Sequence, residues 1–196
     1  MKKLLQRRDV VEQLLRDRGD LLLVSGLTAV FDTASVGDRE LNFPMWGAMG
    51  GAAMVGLGLA LAQPRRKILV ITCDGEMLMG LGSLATIAVK KPKNLYVVVL
   101  DNEHYAETGM QESHTGHGVN LAGMAKAAGF AHAVSVRDQT GAAALRELVY
   151  KGQGPLFAQV KVEPGRLGMV LPPRDGAFLK NRFRVALLGA GAVHDE

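Results

Sequence analysis

Two apolar runs rich in β-branched residues, Ile68 to Thr72 and Leu95 to Leu100, each end in a short polar cluster, Cys73-Asp74-Gly75-Glu76 and Asp101-Asn102-Glu103. Runs of this length predict buried strands, and the helix-like stretch between them has the length of one βαβ crossover. Upstream, Leu4, Leu5, Val11, Leu14 and Leu15 recur at helical spacing among charged residues, so an amphipathic helix is expected there, ended by Gly19. A strand over 21–24 follows, then the small polar turn Ser25-Gly26-Leu27-Thr28, a short helix near 28–35 and an irregular stretch to about residue 43. Downstream the pattern predicts helices over 120–128, 140–151 and 175–188 and strands over 131–136 and 156–162, with Gly129, Gly152, Gly154 and Pro155 at the connections. Residues 163–175 read as a Pro-rich crossing segment. Strands alternating with helices imply an α/β fold, doubly wound, with a mainly parallel sheet covered by helices on both faces.

Composition narrows the possibilities. With 196 residues and 48% hydrophobic content the chain can bury a full core, and one domain over 1–196 is expected. The amino terminus carries charges throughout, so neither a signal peptide nor a membrane span is expected and a cytoplasmic location is the default. The single cysteine, Cys73, excludes an internal disulfide and a cysteine-based zinc or iron-sulfur site within this chain, leaving a strand-end thiol or a redox-active one. The net charge of +4 is spread out and aromatics are 5% of the chain, which argues against nucleic acid as a partner.

Candidate chemistry collects where parallel strands end. Asp74 and Asn102 should emerge side by side at the carboxyl edge of the sheet, where such sheets bind ligands. A hard cation takes oxygen ligands from carboxylate, amide, backbone carbonyl and phosphate, and these two side chains supply the first two. The turn at Ser25 can present donors to a phosphate or simply cap a helix. Between Asn42 and Pro64 the density of glycine is high for a helix, where each Gly costs about 1 kcal/mol relative to Ala. Close approach of a ligand is the reading for Gly47 to Gly50, with Met49 as an apolar prop, while tight packing accounts for Gly56 and Gly58. The segment 103–119 reads as a long functional loop carrying His104, Glu107, His114 and His117. His114 and His117 have zinc-pair spacing, but nothing at a suitable spacing completes a zinc site, and surface or substrate-facing roles are expected.

These residues carry a resemblance. Asp74-Gly75-Glu76, followed by Asp101-Asn102, resembles the signature of thiamine diphosphate enzymes, Gly-Asp-Gly and then Asn-Asn about thirty residues on. Gly47-Ala48-Met49-Gly50 is similar to the family's upstream Gly-Ser-hydrophobe-Gly turn, Tyr105 and Thr108 to Gln111 to the segment after the asparagine, and Arg182-Phe183 to its terminal helix. The match covers nearly the whole chain and points to the diphosphate-binding domain alone. Within the family it is similar to the β subunits of sulfopyruvate decarboxylase and the equivalent half of phosphonopyruvate decarboxylase.

Carried over by position, the resemblance makes Asp74, Asn102 and the backbone carbonyl of His104 magnesium ligands. It assigns backbone N–H groups of Gly75 and Glu76, and the Ser25 hydroxyl, to the diphosphate of thiamine diphosphate. Gly47 and Met49 would hold the aminopyrimidine, with Met49 bending the two rings together, and Tyr105 and Ala106 would line the cofactor. Glu107, His114 and His117 become candidates for substrate contact or proton transfer, with Glu107 and His114 as the catalytic choices beside Met49. Arg166 or Arg174 would meet a distal sulfonate or phosphonate. Two departures are Cys73 for the first glycine and Asp101 for the first asparagine. Family members also need a glutamate from a pyrimidine-binding domain, which this chain lacks. The implied protein is therefore the β subunit of a 2-oxo acid decarboxylase, completed in a hetero-oligomer by an α subunit meeting the surface from Met45 to Met54.

Other readings use the same residues. An acetolactate-synthase-like carboligase subunit would share the clamp, as would a non-catalytic thiamine diphosphate-binding module. A 2-oxoacid:ferredoxin oxidoreductase subunit would bring more cysteines. A nicotinamide site is disfavoured because the nearest glycine pattern, Gly80-Leu81-Gly82-Ser83-Leu84-Ala85, falls in a helix and not after a strand.

Overall fold

In the computed structural model, which describes residues 4–193, six strands form one all-parallel sheet. In chain order the elements are α1 (Arg7–Leu15), β1 (Leu22–Ser25), α2 (Ala29–Val36), β2 (Asn42–Pro44), α3 (Ala52–Ala62), β3 (Ile68–Cys73), α4 (Asp74–Met79), α5 (Ser83–Lys90) and β4 (Leu95–Asp101). There follow β5 (His104–Tyr105), β6 (Gln111–Glu112), α6 (Leu121–Ala128), β7 (His132–Val136), α7 (Gln139–Lys151), β8 (Leu156–Lys161) and α8 (Gly176–Leu188), before a 3-10 turn at Ala190–Val193. The sheet order is β2-β1-β3-β4-β8-β7, so the chain reverses direction between β1 and β3 and crevices open at the carboxyl edge. The expected single domain includes residues 1–3 and 194–196, which lie outside the described residues.

Alternation along the buried strands builds the two layers. Leu69, Ile71, Tyr96 and Val98 join Val11 and Leu14 of α1 and Leu145 and Val149 of α7 in one core. Ile68, Val70, Val97 and Val99 join Leu57 of α3, Ile87 of α5, Leu121 of α6 and Phe183 of α8 in the other. Strands buried on both faces carry no polar alternation, which is why β3 and β4 read as continuous apolar runs.

Five local expectations change. Residues 42–44, at the end of the stretch expected to be irregular to about residue 43, form the parallel edge strand β2, paired with Leu23, Val24 and Ser25; three residues are too few for a sequence period to register. The helical stretch between β3 and β4 is broken at Gly80-Leu81-Gly82 into α4 and α5. A Cβ on Gly80 would lie 2.3 Å from the carbonyl oxygen of Gly50, so this backbone-to-backbone contact requires glycine and bends the chain. The same contact uses Gly50 for packing rather than for a ligand, and Gly56 packs on Val70. Segment 103–119 contains the short antiparallel pair β5–β6 within its turns. Finally, α1 ends at Leu15, four residues before Gly19.

Candidate functional site

The register that pairs Cys73 with Leu100 sets the ends of β3 and β4 side by side at the carboxyl edge, with Asp74 opening α4 and Asn102 following β4. Asp74 is fully buried and Asn102 is 5% exposed. One carboxylate oxygen of Asp74, Oδ2, accepts a hydrogen bond from the Ser113 hydroxyl and lies 3.2 Å from Thr115 Oγ1, whose single proton has its shorter contact with Asp101. The other, Oδ1, is buried without a partner among the described residues. An orphaned anionic oxygen is costly in a protein interior unless a cation or donor meets it. Burial, reinforced by the charge of Asp101, pushes the Asp74 carboxyl up to about 6, while the Ser113 hydroxyl works against the shift.

Asp101, the departure from asparagine, is held by compensating groups. Its Oδ1 accepts from Thr115 Oγ1 at 2.7 Å, and its Oδ2 accepts from Gln159 Nε2 at 2.5 Å and pairs with Lys161 Nζ at 2.7 Å. Thr115 thus lies between the two carboxylates and holds the α4 start against the end of β4. Lys161 also meets Glu103 Oε1 at 2.6 Å. A buried cation therefore answers the charge that aspartate adds at this position. Asn102 closes the β4 turn: its Oδ1 accepts from the His104 N–H at 3.1 Å, and His104 Nδ1 lies 2.8 Å from its carbonyl oxygen. Glu103 sits at φ 64° and Thr28 at φ 66°, so both turns that flank the site carry left-handed backbone in residues with a Cβ. Next to them, Ser113 N–H donates to Glu103 O at 2.7 Å, one position away from the His104–Glu112 pair. In antiparallel alternation this turns the His104 carbonyl away from β6, leaving it outside the ladder.

A cavity beneath this edge is lined by Arg7, Thr28, Cys73, Asn102, His104 and Ala106, among others. Cys73 lines this cavity half-buried, and desolvation pushes its thiol up to about 12. Arg7 donates to Asp32 Oδ1 at 3.1 Å, and burial nevertheless raises the Asp32 carboxyl. An adjoining cavity of Arg7, Thr28, Phe31, Ala106, Glu107 and Arg166 opens under the crossing segment, which Trp46 Nε1 ties down through Pro173 O at 3.1 Å.

The structure brings Asn102, His104 and Ala106 together, and places Ser25, whose buried hydroxyl has no partner among the described residues, at the end of neighbouring β1. Gly75 lies under the Tyr105 ring, where a Cβ would come within 2.7 Å. Gly47, at φ +70°, and Met49 sit in the exposed to half-exposed turn before α3. Glu107 and His114 are not brought together: Glu107 Oε1 accepts from Thr28 Oγ1 at 2.9 Å, and His114 Nδ1 lies 2.7 Å from the Tyr105 hydroxyl. His117 pairs with Glu112, and among the described residues no three His, Cys, Asp or Glu side chains converge as a metal cluster. Arg174 is exposed and does not line the Arg166 cavity. The sequence reading missed Ser113, Thr115, Gln159 and Lys161. The alternating hydroxyls of Ser113-His114-Thr115 were a signal for the first two; the others needed the strand order.

Comparison with known proteins adds to this geometry. The family described as thiamine pyrophosphate enzyme, C-terminal TPP binding domain, matches residues 27–160. Sulfopyruvate decarboxylase subunit beta of Methanothermobacter thermautotrophicus is 35% identical over 188 residues, covering 95% of this chain and 98% of that protein. Its counterpart from Methanocaldococcus jannaschii is 42% identical over 126 residues, 63% of this chain and 66% of that one. Phosphonopyruvate decarboxylase of Streptomyces viridochromogenes is 40% identical over 150 residues, 75% of this chain but only 37% of that protein. Among solved structures, benzoylformate decarboxylase from Polynucleobacter necessarius superposes with a TM-score of 0.66 at 18% identity, covering 84% of this chain and 34% of that one, which supports the same α/β fold.

Proposed function

The chain belongs to the thiamine pyrophosphate enzymes through their C-terminal TPP-binding domain, and from that premise we propose that it is the β subunit of a thiamine diphosphate- and magnesium-dependent 2-oxo acid decarboxylase. The observation that carries this reading is the divided Asp74 carboxylate: one oxygen fixed by the Ser113 hydroxyl, the other buried, without a partner among the described residues and available to a cation. The donor set fits a hard metal. Asp74 Oδ1, the side-chain oxygen of Asn102 and the His104 carbonyl would supply oxygen donors to such a metal, alongside the diphosphate.

When bound, thiamine diphosphate supplies the electron sink on which a 2-oxo acid loses carbon dioxide. This chain's part is to hold and orient. Asp74 and Asn102 fix the metal, backbone N–H groups of Gly75 and Glu76 at the start of α4 meet the diphosphate, and Gly47 and Met49 set the ring end. Arg166, which lines the adjoining cavity with Glu107, would meet a distal acid group of the substrate. Glu107 is held by Thr28 at the same opening, and His114 by Tyr105; these pairs are the proton-handling candidates of this chain.

The glutamate that activates the cofactor in this family has no counterpart here. We therefore assign the whole of 1–196 to a diphosphate-binding domain and the pyrimidine-binding domain to an α subunit in the cytoplasm. The partner contact is placed on the turn from Met45 and on α3, a helix without a charged residue whose Met54 and Leu61 are 41% and 51% exposed. Among the described residues no helix is long and apolar enough to cross a membrane.

The test is reconstitution. Purified with its α partner, thiamine diphosphate and magnesium, the chain should release carbon dioxide from sulfopyruvate or phosphonopyruvate, and neither subunit alone should do so. Met49→Ala should lower turnover with diphosphate affinity nearly unchanged. Decarboxylation by this chain alone, or loss of binding in Met49→Ala, would contradict the assignment.

A further inference from the structure

Glu76 is expected to contribute only its backbone N–H, yet its side chain has a separate place in the fold. The carboxylate is buried, 1% exposed. Its Oε2 accepts from the Thr72 hydroxyl at 2.6 Å and its Oε1 from the Ala52 N–H at 3.3 Å. The backbone amides of Leu27 and Gly50 lie near enough to favour its ionised form, while burial raises the carboxyl. These amides come from separate segments: Leu27 from the turn between β1 and α2, Gly50 from the turn that carries Met49, and Ala52 from the first residue of α3.

Helix α3 has Gly51 at its N-cap and no capping side chain of its own. The Glu76 carboxylate reaches across from α4 to satisfy those first-turn donors, and its negative charge suits the amino end of an eleven-residue helix. The surroundings are shaped around it. A Cβ on Gly26 would fall 1.8 Å from Glu76 Oε2, so glycine at that position makes the room. On the other side Gly50 and Gly80 meet backbone to backbone, a Cβ on Gly50 lying 3.0 Å from Gly80 N. Turn 47–51 is thus pressed against α4 at one point, and the first residue of α3 that follows it is hydrogen-bonded to α4 at another.

We infer that Glu76 is a positioning residue: its carboxylate fixes the turn that carries Gly47 and Met49 in register with the Asp74 turn and with the turn after β1. The inference rests on the cofactor reading above for its consequence, because the first turn then holds the ring end of the cofactor and the other two hold its diphosphate end. Losing this carboxylate should uncouple the two ends while leaving Asp74, Asn102 and their hydroxyl partners in place.

The experiment uses the full chain and two probes, magnesium with inorganic pyrophosphate and magnesium with thiamine diphosphate, in wild type and Glu76→Gln. Glutamine keeps the shape and one acceptor but cannot accept from both the Thr72 hydroxyl and the Ala52 N–H through separate oxygens, and it carries no charge. Pyrophosphate affinity should stay within about twofold, and thiamine diphosphate affinity should fall tenfold or more. Without any ligand, amide exchange at Gly50 and Ala52 should quicken at least tenfold, with Val97 and Val98 of β4 unchanged. An equal fall for both probes, or unchanged exchange at Gly50 and Ala52, would overturn the inference. If wild type bound neither probe, the cofactor reading would fall together with its ring-side consequence, whereas exchange would still decide whether Glu76 pins the turn. Should Glu76→Gln not fold, Thr72→Val, which removes the donor orienting Oε2, decides by the same probes: selective loss for thiamine diphosphate supports the inference, and equal loss or none refutes it.

Discussion

Replacing Asp74 by asparagine in the metal-free chain tests the site without any catalytic assay. Burial pushes this carboxyl from 3.8 up to about 6, a rise worth about 3 kcal/mol of penalty on the ionised form. The sign follows from linkage. A carboxyl whose folded value exceeds its unfolded one binds its proton more tightly when folded, so its stabilising contribution is full below about pH 3.8 and is lost as pH rises through about 6. At pH 8, with a chelator present, wild type therefore carries the whole penalty and Asp74→Asn carries none of it. Asparagine retains an acceptor for Ser113, so the hydrogen bonding changes little. The gap in unfolding free energy between variant and wild type should widen by roughly 2 kcal/mol between pH 4.5 and pH 8, in favour of the variant. In thermal unfolding of a domain this size that is about 4–8 °C. Saturating magnesium and thiamine diphosphate should reverse the order by stabilising wild type alone. A gap that stayed constant with pH, or a variant stabilised by the ligands as much as wild type, would refute the reasoning.

Two further outcomes follow from the same geometry. Lys161→Met leaves Asp101 buried without its cation and should destabilise the fold by about 3 kcal/mol in denaturant unfolding, whereas the Asp101→Asn/Lys161→Met double variant should recover most of the loss, because Thr115 and Gln159 can serve an amide; additive losses would contradict the ion-pair account. Cys73, with its thiol pushed up to about 12, should resist a thiol reagent at pH 8 for as long as the chain is folded and react completely in urea; fast labelling of the native chain would show that the thiol is not held as described.

The parts of this fold that could be read from the residues are those where one physical signal dominates. β3 and β4 announce themselves because strands buried on both faces admit only apolar side chains, and the polar clusters that end them mark the carboxyl edge. The resemblance then brought Asp74, Asn102 and the Gly47–Met49 turn into one proposal. What stayed hidden depends on neighbours far along the chain. β2 exists because three residues pair with β1, and the break at Gly80 exists because Gly50 lies against it. Lys161 offsets Asp101 only because β8 runs beside β4. Ser113 and Thr115 had a spacing but no visible target until the segment folded back on Asp74. The buried carboxylate of Glu76 looked like one more polar residue at a helix start. No local pattern says that it reaches three other segments.

Asp74 and Asn102 would together hold a divalent ion against the cofactor's diphosphate. Calorimetric titration of thiamine diphosphate into the full chain, with magnesium and then with a chelator, measures that grip directly. Binding should require the metal in wild type and vanish in both Asp74→Ala and Asn102→Ala, with the far-ultraviolet spectrum of each variant unchanged. Metal-independent binding in wild type, or undiminished binding in either folded variant, would contradict the claim.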